Sequence, residues 1–387
     1  MTNENHKINR FAVDLLWVRP GKVGGTEVVI RQILDGWKAS DEEFRVVLIV
    51  TTDNQDSFAC YGKDKRFKIL TAPIASAGIL KRILWQNFFF ASFLKRQGIR
   101  NCFTPVYDRP YFDAGIRYIS VMHDIQAYHY PDYHPFHEVV YSKMIWRADR
   151  DRSLLNICIS GFVRDDIVKH FGFHPERLQV IYNPVSVRTE EIVPFEELQK
   201  RYGIQEQTYY YTLSQMIPHK NMDTLLHVFA KIRDCKEELP GKLLISGING
   251  NATEQIREKI QALHLEEQVV LTGYVSDAER NTLYRHTRAF LFPSVFEGFG
   301  IPPIEAMMFG APVVTTRCTC IPEVTQELAD YVEDPYDVDE WILKMKTARN
   351  RGLNLDMARY DRDNIARKYL SCIKDTFFGK DNGREHA

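Results

Sequence analysis

Residues 289–316 read AFLFPSVFEGFGIPPIEAMMFGAPVVTT. Ala289–Phe292 is a short, wholly apolar run of the kind that forms a strand buried on both faces. A loop containing Glu297-Gly298-Phe299-Gly300 follows. Pro302 and Pro303 suit the first turn of a helix, where a missing N–H costs nothing. Gly310 stops that helix, and Pro312–Thr315 is the next strand. The stretch therefore predicts one parallel β-loop-α-β unit. It also sets the backbone N–H groups of Gly298, Phe299, Gly300 and Ile301 at a helix N-terminus, an arrangement that holds a phosphate or diphosphate. Glu297 and Glu305 flank this loop, Glu305 in the helix's first turn. A bound anion would repel carboxylates, so the two are read as acceptors for sugar hydroxyls.

The same alternation extends along the chain. Phe11–Val18, Arg45–Thr51, Lys68–Thr71 and Arg117–Met122 are β-type runs in the first half, with helical patterns at 26–39 and 79–97. Tyr209–Leu213, Lys242–Ser246 and Val269–Thr272 precede the opening stretch, with helical patterns at 221–233 and 253–263. The pattern occurs twice, around a looser acidic stretch at 186–208. It predicts two doubly wound parallel sheets, with ligands at the carboxyl ends of the strands and a cleft between facing domains. The expected domains are 1–187, 188–365 and a last helix, 366–387, crossing back to the first.

Composition narrows the class. The chain has 387 residues, 44% of them apolar and 26% charged, with a formal net charge of −1. That supports packed cores and gives no global case for nucleic-acid binding. Basic residues exceed acidic ones in the first half and the reverse holds in the second, which gives anionic partners only a weak lever. Seven cysteines without a pairing pattern suit reduced thiols in a cytosol. A polar start without an apolar signal core suits the same location. Three Asp-x-Asp triplets, at Asp149/Asp151, Asp337/Asp339 and Asp361/Asp363, are read as solvated helix ends or turns, not as metal ligands. No metal site is assigned.

Three further elements carry chemistry. Gly24-Gly25 follow the first strand and precede a helix that Thr26 can cap, with Val29, Ile33 and Trp37 on one apolar face. A glycine pair there lets the backbone approach a diphosphate. Lys220 follows strand 209–213 at the start of the next helix, where an ammonium neutralises a leaving diphosphate. His123 follows strand 117–122, at a carboxyl end that faces ligand in this architecture. His129, His134 and His137 lack the spacing of a two-His metal helix. With Tyr128, Tyr130 and Tyr133 they read as an acceptor-binding loop.

Together these segments resemble retaining glycosyltransferase family 4, whose fold is GT-B. Residues 289–316 carry its Glu-x7-Glu signature. VMHDIQAYHYPDYHP at 121–135 resembles its His-Asp segment, and 148–185 the stretch ending in the interdomain turn, here Asn183-Pro184-Val185. SQMIPHKNMDTLL at 214–226 resembles its phosphate-binding Lys-Asn segment, and QVVLTGYV at 268–275 its base-side loop. The subgroup most similar is the mannosyl- and rhamnosyltransferases of bacterial surface polysaccharides. The resemblance implies catalytic roles for His123, Lys220 and Glu297. It implies donor contacts at Gly24, Gly25, Gly247, Tyr274, Val275, Glu297, Gly298, Phe299, Gly300, Ile301 and Glu305, with Glu305 on the ribose hydroxyls and Tyr274-Val275 beside the base. It implies no cofactor beyond a nucleotide diphosphate sugar, GDP-mannose first, and a glycan or glycolipid acceptor. One departure stands out. Many members carry an Arg six positions before the Lys, where this chain has Ser214-Gln215. His219 and Arg257 are partial substitutes at most.

Helix 79–97 mixes Lys81, Arg82, Lys95 and Arg96 with Trp85, Phe88, Phe89, Phe90 and Phe93. It fits either a cover for the first sheet or a peripheral contact with the inner face of a membrane. Two other functions remain open at this level. A nicotinamide dehydrogenase would want Gly-x-Gly-x-x-Gly after the first strand, which Gly21–Gly25 does not match. A non-catalytic sugar-nucleotide-binding module would accommodate the Ser214-Gln215 departure.

Overall fold

The computed structural model describes residues 10–20, 24–350 and 352–379. The chain divides into two compact units, one formed by residues up to 186 together with those from 358 onward, the other by 187–357.

The first unit is built on a seven-stranded sheet of β1 (Arg10–Asp14), β2 (Arg45–Val50), β3 (Phe67–Thr71), β4 (Asn101–Thr104), β5 (Arg117–Met122), β6 (Leu155–Cys158) and β7 (Leu178–Val180), in the order β3-β2-β1-β4-β5-β6-β7. Every pairing is parallel. Val46–Val50 is buried throughout, as an apolar run must be when helices cover both faces. Strand β1 ends at Asp14, earlier than the expected 11–18. The buried Asp14 side chain accepts from Leu16 N, and its carbonyl accepts from Trp17 Nε1, so the chain turns there. Strand β4 was not legible in the sequence.

Helix Gly25–Ala39 buries Val29, Ile30, Ile33, Leu34 and Trp37, a stripe at helical spacing. Gly24, not Thr26, is its N-cap, and no side chain caps it. The helical segment 79–96 is continuous through a π turn at Gln86–Phe90. Its Phe90 and Leu94 are core residues, packed with Ile99 and Cys102, while Leu80 (70% exposed), Leu84, Phe88 (64%) and Phe89 face outward. No described helix is long and apolar enough to cross a membrane.

The return to the first unit begins at 358, before the expected 366. Tyr360 explains the shift, because it is buried, stacks on Tyr182 and accepts at its carbonyl from Val185 N. Helix Arg362–Phe378 then packs on Gly25–Ala39, where Trp37 Nε1 donates to the Ala366 carbonyl at 2.7 Å.

The second unit holds a six-stranded sheet of β8 (Tyr209–Leu213), β9 (Lys242–Ser246), β10 (Val269–Gly273), β11 (Ala289–Phe292), β12 (Val313–Thr316) and β13 (Asp330–Val332), ordered β10-β9-β8-β11-β12-β13 and wholly parallel. In both sheets the strand order reverses once, between β1 and β4 and between β8 and β11. Loops leaving adjacent strands at such a point diverge to opposite faces and open a crevice. That crevice is where the candidate residues must be sought.

The three Asp-x-Asp triplets share no common setting. Asp337 and Asp361 are helix N-caps. Asp149, expected on a solvated end, is buried and accepts from Ser120 and Ser153.

Candidate active site

In the second unit the loops after β8 and β11 flank the reversal point. The β8 loop ends in a tight 3-10 turn, Pro218–Lys220, and Asn221 leaves it in the left-handed region (φ 53°). Asn221 is held there by donating from Nδ2 to the Pro335 carbonyl and accepting from Thr224 Oγ1. The β11 loop is tied down equally well. Val295 N donates to the His219 carbonyl, Glu297 N to Thr319 Oγ1, and Cys320 Sγ to the Glu297 carbonyl. These anchors bring Lys220 Nζ to 2.5 Å from Glu297 Oε1, with only 16% and 12% of the two side chains exposed. The ammonium and the carboxylate thus meet beside the loop that precedes a helix.

That helix runs Ile301–Met308, with Pro302 and Pro303 in its first turn. Gly300 is its N-cap at φ 78°, and a Cβ there would lie 2.7 Å from Ile321 Cδ1. The positive φ is what favours glycine here. Gly298, Phe299 and Gly300 are buried, and Ile301 is half-buried. Glu305 falls in the second turn rather than the first. Tyr284 Oη donates to its Oε2 at 3.2 Å, and Arg280 Nε lies 3.7 Å from the same oxygen. Burial pushes the Glu305 carboxyl up from its ordinary pKa, against the pull of Arg280 and the Tyr284 hydrogen bond. Arg280 is a residue that sequence reasoning missed. Its Nε is buried without a hydrogen-bond partner, so it acts on Glu305 through charge alone.

Other predicted positions of the second unit have different settings. Gly247, at the end of β9, has φ 138°, and a Cβ would stand 1.8 Å from the Ser214 carbonyl oxygen. Ser214 N in turn donates to the Ser246 carbonyl. Gly247 is therefore required by the packing of the β8 and β9 loops themselves. Tyr274 is 78% exposed at the end of β10, while its neighbour Val275 is buried. Arg257 pairs with Glu254 on an exposed helix face. At Ser214, where an Arg was missed, the side chain bonds the Gln215 carbonyl. Lys220 is the cation paired with Glu297 in this loop.

In the first unit Gly24 opens helix Gly25–Ala39 at φ 69°, and the space above Gly24 and Gly25 is open to 4 Å. Gly21–Lys22–Val23, part of the dinucleotide-motif comparison, lie outside the described residues. His123 Nε2 is 2.8 Å from the Pro105 carbonyl, in the loop after β4. A carbonyl only accepts, so Nε2 carries the proton and Nδ1 keeps its lone pair. Burial lowers the His123 pKa, outweighing the Pro105 bond and Asp124. The Pro105 bond pre-sets the neutral imidazole in one tautomer. Asp14, at the end of β1, is a second residue the sequence reading passed over. Gln86 Nε2 donates to it at 3.2 Å, and burial raises its pKa to about 7.

Two family profiles match the chain, Glycosyltransferase Family 4 over residues 23–189 and Glycosyl transferases group 1 over 194–363. The chain belongs to the glycosyltransferases. Solved structures place this glycosyltransferase in the GT-B fold. Anabaena HepE in complex with UDP and glucose superposes with a TM-score of 0.68 at 16% identity, over 95% of this chain and 99% of that one. Sucrose-phosphate synthase from Thermosynechococcus elongatus gives 0.72 at 14% identity, over 95% and 99%. Among curated relatives, O-antigen chain mannosyltransferase B of Escherichia coli is 31% identical over 58% of this chain and 58% of its own length. O-antigen chain mannosyltransferase RfbU of Salmonella typhimurium is 30% identical over 63% and 65%. The glycosyltransferase thus matches less than two thirds of the length of either relative.

Proposed function

We propose that this glycosyltransferase moves a hexose, mannose first, from a nucleotide diphosphate sugar to a glycan acceptor in polysaccharide synthesis. The observation that carries the reading is the Lys220–Glu297 pair beside the Gly298–Gly300 loop, at the strand-order reversal of the second sheet. The mannosyltransferase relatives support the choice of sugar, and GDP-mannose is the first donor to test.

On this reading the amides of Gly298 to Ile301 and the Lys220 ammonium receive the diphosphate. Glu305, oriented by Tyr284 and Arg280, accepts from the ribose hydroxyls, and Tyr274-Val275 lie beside the base. Glu297 accepts from the donor sugar and fixes the Lys220 rotamer. His123 meets the transferred sugar with its unprotonated Nδ1. Transfer proceeds with retention, by attack on the face the diphosphate leaves. The leaving diphosphate takes the acceptor proton, so catalysis rests on positioning and charge stabilisation without a metal at the donor. The acceptor is carried on a lipid, and the outward Leu80, Leu84, Phe88 and Phe89, with Lys81 alongside, bring the first unit to an anionic bilayer surface.

A thermal-shift panel of GDP, dTDP and UDP tests the donor. A ligand at 100 times its Kd stabilises by about 2.7 kcal/mol, and GDP is expected to give the largest shift. Sedimentation with anionic vesicles tests the surface, and the anomeric configuration of the product tests retention. No shift with any nucleoside diphosphate would overturn the proposal.

A further inference from the structure

Three side chains converge on one point of the first unit. Asp166 and His170 stand one turn apart on helix Gly161–Phe171, and His129 ends the short helix Gln126–His129. His129 Nε2 lies 3.0 and 2.9 Å from the two oxygens of Asp166, and His170 Nε2 lies 3.5 Å from Oδ1. All three ligand atoms fall within 4.8 Å of one another. The two imidazole planes are nearly perpendicular, with centroids 5.1 Å apart, and the Tyr128 ring abuts both. Asp166 is buried.

Hydrogen bonding alone uses this arrangement poorly. His129 is within bonding distance of the carboxylate, but His170 Nε2, 3.5 Å from it, is too far for a good hydrogen bond. A cation at the centre would engage all three. Ligand atoms about 2.1 Å from a tetrahedral zinc ion are separated by roughly 3.4 Å, and the carboxylate distances bracket that value. We propose that His129, Asp166 and His170 bind a divalent cation of the Zn²⁺ class, through two imidazole nitrogens and one carboxylate oxygen, with water completing the shell. Imidazole with carboxylate suits such borderline cations better than Mg²⁺ or Ca²⁺, which take oxygen sets. The cation pins the segment after His123 to helix Gly161–Phe171, and so fixes the start of the aromatic loop. It is separate from the donor residues, and its test does not depend on them.

The experiment is titration of the metal-stripped full chain with Co²⁺, followed by competition with Zn²⁺. One equivalent should bind, giving visible d–d bands without a thiolate charge-transfer band, which excludes the seven cysteines as ligands. Asp166→Asn and His170→Ala should each weaken binding by at least about tenfold, and Zn²⁺ should raise the Tm of the parent chain more than that of either variant. Asp166→Asn keeps the side chain's shape, so it remains informative if His170→Ala fails to fold. A thiolate band, unchanged affinity in the variants, or no uptake at micromolar metal would each overturn the site.

Discussion

Lys220 Nζ sits 2.5 Å from Glu297 Oε1, so the cation and the first carboxylate of the signature form one ion pair. Each holds the other in one rotamer, which is the preorganisation that electrostatic catalysis requires.

The two should therefore fail together. During transfer, negative charge grows on the leaving diphosphate, and a cation there is worth more in the transition state than in the bound donor. Lys220→Ala should cut kcat by roughly 10²–10³, the scale seen when one preorganised donor is lost, with a smaller change in donor KM. Lys220→Arg should recover only part of it. Adding Glu297→Ala to Lys220→Ala should cost little more than the worse single change. Steady-state kinetics of the parent, the three single variants and the double variant decide this, and full activity in Lys220→Ala would remove the leaving-group role.

Glu305 is set differently, buried against Tyr284 and Arg280. Hydrogen bonds to a charged acceptor contribute about 1.5–3 kcal/mol, so Glu305→Ala should raise donor KM about tenfold or more while sparing kcat. Arg280→Ala should act in the same direction, since it leaves the buried carboxylate without its cation. Donor titration of both variants checks the pair, and an unchanged KM in both would detach Glu305 from the donor.

Gly247 and Gly25 look alike in sequence and should respond oppositely to Ala. A Cβ at Gly247 would stand 1.8 Å from the Ser214 oxygen, and φ is 138°. The strain should cost at least about 3 kcal/mol. Gly25 has open space and no positive φ, so Gly25→Ala should change stability by less than about 1 kcal/mol. Denaturant melts measure both.

Asp14 makes stability depend on pH. Burial raises its pKa to about 7, above the value near 3.9 of an unfolded Asp. Between those two pH values the folded chain holds a proton that the unfolded chain releases, so this group's contribution falls as pH rises from about 4 to 7 and is flat above. Asp14→Asn removes that slope. Its amide can keep the bond from Leu16 N and donate to Gln86 Oε1, which is buried without a partner. The variant should match the parent's Tm near pH 4 and exceed it at pH 8. Equal Tm profiles across that range would refute the assignment.

A donor held by Lys220 and helix amides needs no divalent ion. With the His129–Asp166–His170 site kept loaded with Zn²⁺, initial rates should be the same with added Mg²⁺, with Mn²⁺ or with neither. An absolute requirement for either would overturn an all-protein leaving-group site.

Much of this was written in local pattern. The runs 209–213, 242–246 and 289–292 are short, mainly apolar and bounded by loop residues, so strand period and burial announced them. The loop at 297–300 was legible because glycines, prolines and a carboxylate each have one physical reason to be there. Strand β4 was not, because four residues with polar ends give no periodicity, and its place next to β1 is set by tertiary pairing. Arg280 lies on a polar helix that looks solvated in isolation, and only the fold turns it toward Glu305. The spacing of Asp166 and His170 was visible on one helix, whereas His129 joins them from far along the chain. Thr26 is a good capping residue by type, yet the left-handed Gly24 starts the helix before it.

The helix Arg362–Phe378 carries a consequence for how the protein is made. Gly36 and Ala366 approach so closely that a methyl on Gly36 would lie 2.4 Å from Ala366 Cβ, and Trp37 bonds the Ala366 carbonyl. A ribosome delivers the seven strands of the first sheet long before it delivers that helix, with the whole of 187–357 in between. Until then the apolar surface around Gly36 and Trp37 is uncovered, and the nascent first unit is open to chaperones and to sticky encounters. The second unit is continuous in sequence and is free to fold as soon as it emerges. Folding of the first unit thus waits for helix Arg362–Phe378 to close on a sheet made much earlier.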